Sequence, residues 1–141
     1  MSHPSHRLAL LAVTLCLALS GCALPRVAPP GLAASPCPPG VCVIQVFVDS
    51  GRCAGADGIS VDKPLVSANV AVNMRWEIVT PGFVFAADGI VFDPPNPQFE
   101  PRHNPMPNEF RIHNTKSQTG DYKYTIKVQG CTPYDPWVRN F

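Results

Sequence analysis

Residues 70–78 read Val70-Ala71-Val72-Asn73-Met74-Arg75-Trp76-Glu77-Ile78, and they decide the fold. Val70, Val72, Met74, Trp76 and Ile78 share one face of an extended chain, while Asn73, Arg75 and Glu77 take the other. An unbroken period of two with one polar face is the pattern of a strand covered on one side by a core. The same alternation returns at 122–128. There Tyr122, Tyr124, Ile126 and Val128 oppose Lys123, Thr125, Lys127 and Gln129. A third run, Val43-Ile44-Gln45-Val46-Phe47-Val48, is β-branched and stops at Asp49-Ser50-Gly51. Shorter strands are expected at 59–61, 89–92 and 110–113, with turns at Pro81-Gly82, Asp88-Gly89 and Gly120-Asp121. No stretch carries a sustained helical period. The expectation is an all-β chain, a Greek-key β-sandwich of six to eight antiparallel strands with no substantial helix after the leader.

Working outward, the chain begins with an address. Arg7 supplies a positive start, and Leu8 to Leu19 is an apolar run of twelve residues, too short to span a bilayer. It ends in Leu19-Ser20-Gly21-Cys22, which resembles a bacterial lipobox. The resemblance implies a signal peptide over 1–21, cleavage before Cys22, transfer of a diacylglycerol to the Cys22 thiol, and three acyl chains, such as palmitate, on the mature protein. The lipid bilayer is then the first partner, since two acyl chains already suffice for stable anchoring. Ala23, where Asp would retain an inner-membrane lipoprotein, implies the periplasmic face of the outer membrane. Residues 22–40 hold six prolines and no acidic residue, and read as an extended tether from Cys22 that holds a domain at 41–141 away from the bilayer.

The 141 residues carry 11 Lys+Arg and 10 Asp+Glu, a net charge of +1 with only 15% charged residues, which excludes the basic face that nucleic acid requires. Of six cysteines, Cys37, Cys42, Cys53 and Cys131 remain once Cys16 is cleaved off and Cys22 is acylated. Four cysteines in an exported chain read as two disulfides of three possible connectivities. The pairing expected is Cys37–Cys42, closing the Cys37-Pro38-Pro39-Gly40-Val41-Cys42 loop, and Cys53–Cys131.

The run Val72 to Ile78, then Pro81-Gly82-Phe83 and Gly89-Ile90-Val91-Phe92-Asp93, with Gly120-Asp121-Tyr122-Lys123-Tyr124-Thr125, resembles the second half of the cupredoxin fold. The ending Asp135-Pro136-Trp137-Val138-Arg139-Asn140 is similar to copper-free cupredoxin-like domains of secreted bacterial proteins. A blue-copper centre needs two imidazoles and a thiolate. Phe85-Ala86-Ala87-Asp88 stands where the first histidine belongs, and no histidine follows Cys131. The resemblance therefore implies the fold without its metal, and no cofactor is expected.

Chemistry-bearing residues are few. Two of the four histidines fall in the leader; His103 and His113 remain. The sequence has no Gly-x-Ser-x-Gly elbow, no phosphate-cradling glycine loop and no His-Glu-x-x-His pair, so a non-catalytic binding or structural module is expected. The alternative is a copper-handling lipoprotein in which His103, Met106 and His113 bind Cu(I), since imidazole and thioether both suit it. Residues 93–107 carry six prolines, which bars them from the centre of a sheet. This stiff loop either presents Phe99 and Arg102 to an envelope protein partner or folds back with Phe99 in the core. Trp76, Tyr122, Tyr124 and Trp137 read as core aromatics, and Arg75, Glu77, Lys123 and Lys127 as solvated faces.

Overall fold

The computed structural model describes residues 26–141; the expected leader and Cys22 lie outside them. The described residues form ten strands and no helix: β1 (Ser35–Pro36), β2 (Gly40–Val48), β3 (Ile59–Val61), β4 (Leu65–Ala68), β5 (Val72–Ile78), β6 (Phe85–Phe92), β7 (Phe99–Met106), β8 (Glu109–Asn114), β9 (Gly120–Val128) and β10 (Trp137–Asn140). They make two five-stranded sheets that share one apolar core, a β-sandwich. The first sheet runs β1-β4-β10-β9-β6 and the second β3-β2-β5-β8-β7.

Two expectations need correction. The strands number ten, not six to eight, and the sheets are mixed, not purely antiparallel. β2 runs parallel to β5, and β4 runs parallel to both β1 and β10. The cause is the path of the chain. After β3 folds back along β2, the chain crosses to the first sheet as β4, so β5 re-enters the second sheet in the direction of β2. The extra strands escape notice because their side chains do not alternate. All four residues of β4 are buried, and β1 is a dipeptide containing a proline.

The strong alternations do what they promise. Val72, Met74, Trp76 and Ile78 of β5 and Tyr124, Ile126 and Val128 of β9 are all buried, from opposite sheets. Val70, before the strand proper, stays exposed. Across the core the Trp76 Nε1–H donates to the Tyr124 hydroxyl at 3.1 Å, with ring centroids 5.3 Å apart edge to face. Two large aromatics are thereby buried with their polar atoms satisfied by each other. Burial is also what raises the Tyr124 phenol far above its ordinary pKa. β6 and β9 lose register between Phe85 and Ile90, so the expected turn at Asp88-Gly89 is instead a bulge within β6. Glycine is required there: a Cβ on Gly89 would lie 2.7 Å from the Cβ of Phe85.

The prolines of 93–107 behave as their chemistry demands. β7 contains Pro101 and Pro105 and lies at the outer edge of the second sheet, where a missing N–H costs no ladder bond. Phe99 opens this strand in the core, 1% exposed and stacked on Phe92 at a centroid distance of 3.8 Å.

The cysteines pair as Cys37–Cys42 and Cys53–Cys131. Each bond joins segments of the two different sheets, one at either end of the sandwich. The second closes a span of 78 residues, for which loop entropy implies about 4 kcal/mol against about 2 for the first.

The proline-rich segment from Arg26 onward is not a free spacer. Arg26 Nη1 lies 3.3 Å from Asp93 Oδ2, Ala28 is buried with its N–H on Asp121 Oδ2 at 2.8 Å, and β1 pairs with β4. Prolines deny this stretch a full ladder, but isolated N–H groups still find acceptors on the first sheet, as Cys37 does on the Ser67 carbonyl at 2.8 Å.

Candidate functional site

Asn73, Arg75 and Glu77 of β5 and Arg111 and His113 of β8 lie on the outer face of the second sheet, and register decides which of them meet. Arg75 lies directly across from Arg111, and Asn73 from His113. β7 adds His103 opposite Arg111, and β2 adds Val41 beside Asn73. These side chains, with Pro101, line a groove of about 320 Å³ on the outer face of the sheet. His113 Nδ1 is 2.8 Å from Asn73 Oδ1, which fixes the plane of its ring. Each arginine reaches a glutamate two residues away on its own strand. Arg75 Nε approaches Glu77 Oε1 at 2.9 Å, and Arg111 Nε is hydrogen-bonded to the buried Glu109 carboxylate. The Arg75 contact is a charge contact rather than an aligned hydrogen bond, because its buried Nε has no acceptor in line. A smaller recess of about 250 Å³ lies on the other side of His103, between Arg102 and Asp88.

His103, Met106 and His113 are therefore not gathered as a copper set. His103 and His113 share the groove, but Met106 pairs with Glu109, four positions along β8 from His113. That is about 13 Å of strand, beyond any shared ion. Among the described residues no group of three or more His, Cys, Asp or Glu is placed to hold a metal ion. The proposed partner contact separates as well. Phe99 is in the core and cannot be offered to a partner, whereas Arg102 is exposed and ion-paired with Glu100 at 2.9 Å. Of the four aromatics, Trp76 and Tyr124 are buried and Tyr122 is half-buried. Trp137 lies half-buried on the outer face of the first sheet.

The residues that matter most to the groove, Arg75 and Arg111, were not singled out by sequence. Arg75 reads only as part of a solvated face, and the structure leaves it half-buried beside Glu77. Its second neighbour, Arg111, is 36 positions away and becomes visible only when the β5–β8 register is known.

A buried amide cluster ties the end of the sandwich nearest the groove. Asn114 and Asn140 exchange side-chain hydrogen bonds at 2.9 and 3.2 Å, and Asn140 also donates to Gln98 Oε1 at 2.8 Å. It couples β8 of the second sheet to β10 of the first. No helix among the described residues is long and apolar enough to cross a membrane. No protein-family model matches the chain, and no curated protein matches it.

Proposed function

We propose that the chain is a lipid-anchored, non-catalytic binding module of the cell envelope, a cupredoxin-like Greek-key sandwich without copper, held at the periplasmic face of the outer membrane. The observation that carries this reading is Leu19-Ser20-Gly21-Cys22 at the end of a twelve-residue apolar run. Two disulfides in so small a chain suit an oxidising compartment. The two mixed sheets and the Trp76–Tyr124 contact between them support the fold assignment, and the groove over Arg75, Arg111, His103 and His113 supports a binding role.

Metabolic labelling with a radioactive fatty acid, followed by cell fractionation, tests the anchor. The native chain incorporates label and sediments with the outer membrane, and Cys22→Ala is unlabelled and released. A Cys22→Ala chain that still sediments with membranes would sink the proposal.

A further inference from the structure

Like charges stand opposite each other twice on the outer face of the second sheet, Arg75 across from Arg111 and Glu77 across from Glu109. Such facing pairs destabilise a sheet unless something lies between them. The glutamates relieve the arginines only in part. Each contact is made through Nε, and no protein acceptor among the described residues takes a hydrogen bond from the Nη groups of Arg75 or Arg111. The polar residues lining the groove are Asn73, Arg75, His103, Arg111 and His113, with no carboxylate among them. Five side chains that donate or can donate thus surround an open volume of about 320 Å³.

We infer that this groove binds an oxyanion, a phosphate or carboxylate group carried by a small molecule, bridged by Arg75 and Arg111 and flanked by His103 and His113. An anion between two guanidiniums converts their repulsion into two sets of charge-assisted hydrogen bonds, for which the planar fork of arginine is suited. The same field argues against a metal cation. Two imidazoles alone would suit one, but the neighbouring guanidiniums raise the potential that it must enter. Val41 and Pro101 give the groove an apolar side, so the ligand has a carbon body as well as a charged group. The inference rests on reading the protein as a binding module, and it supplies the ligand class.

The full chain in a neutral detergent is titrated with inorganic phosphate and, separately, with phosphatidylglycerol vesicles, following backbone amide shifts. Saturable shifts at residues 75, 111 and 113 are expected, with affinity reduced about tenfold in Arg75→Gln and in Arg111→Gln. Arg139→Gln, which removes the same charge from the other sheet, leaves affinity unchanged. If Arg111→Gln does not fold, Arg75→Gln and His103→Gln carry the test. Response to vesicles alone, lost in the same variants, assigns the oxyanion to a lipid headgroup; response to phosphate assigns it to a soluble ligand. No saturation with either probe overturns the inference, as does an equal loss in Arg139→Gln. So does tight Cu(I) binding that phosphate fails to displace and His103→Ala abolishes. The phosphate arm and its variants do not depend on Cys22, so the site and the anchor fail separately.

Discussion

The two outer faces of the sandwich carry similar numbers of charges and arrange them in opposite ways. On the first sheet the ion pairs run between different segments. Arg139 of β10 grips Asp121 of β9 with two hydrogen bonds of 2.7 and 2.9 Å, Lys127 of β9 meets Asp88 of β6, and Lys123 meets Asp135. On the second sheet the pairs run along single strands, Arg75 with Glu77 and Arg111 with Glu109. Pairing across strands uses each charge up and stitches the sheet. Pairing along a strand neutralises the total charge but leaves like beside like, with free guanidinium edges turned outward. The first arrangement is that of a closed surface, and the second leaves guanidinium edges open, as the proposed oxyanion site requires.

The comparison assumes one core beneath both faces, and its severest test is there. Trp76→Ala removes the second sheet's largest buried side chain and orphans the Tyr124 hydroxyl. It should cost about 4 kcal/mol in denaturant unfolding. Probes on either face should still report one transition; two separate transitions would mean that the faces belong to independent units.

Asp121→Asn attacks the stitched face. It weakens two bonds to Arg139 and one from the Ala28 amide, and the expected loss is about 1 kcal/mol. The hydrogen bonds from Arg139, aided by that from Ala28, hold the Asp121 carboxyl below its ordinary value of 3.8. Because the folded value is the lower one, this stabilisation is complete above the ordinary value and disappears as pH falls through the folded one. Acid titration of stability in native and Asp121→Asn chains should therefore converge at low pH. Parallel curves would show that the carboxylate is not the source.

Glu109→Gln sharpens the contrast on the open face because its two effects have opposite signs. Stability falls by about 1 kcal/mol as Arg111 loses its counter-charge, while phosphate binding tightens. A variant that is less stable and binds phosphate more weakly would count against the free-edge interpretation. The smallest effect belongs to Lys123→Gln. Its pair with Asp135 is half-exposed, and thermal melting should register no more than about 0.5 kcal/mol.

What could be read in advance follows a physical division. β5 and β9 were legible because each has one wet face and one dry face, so burial is written into alternate letters. β4 was not, since Leu65, Val66, Ser67 and Ala68 are covered on both sides and leave no period to detect. Pro101 and Pro105 showed that 93–107 could not be a central strand, but not that it would serve as an edge. The candidate site divides in the same way. His103 and His113 stood out as the histidines remaining after the leader, whereas their arginine neighbours depend on long-range register, which no local pattern encodes.

The docking of Arg26 onto Asp93 bears on how the protein would ride a bilayer. Only three residues separate Cys22 from Arg26, and four steps of fully extended backbone reach at most about 14 Å. Acyl chains at Cys22 would leave the sandwich almost no stalk on which to swing, pressing the corner near Asp93 and Asp121 against the headgroups. The module would be a fixed fitting with a preferred tilt rather than a float on a line, and anything it captured would have to come to the membrane surface to be caught.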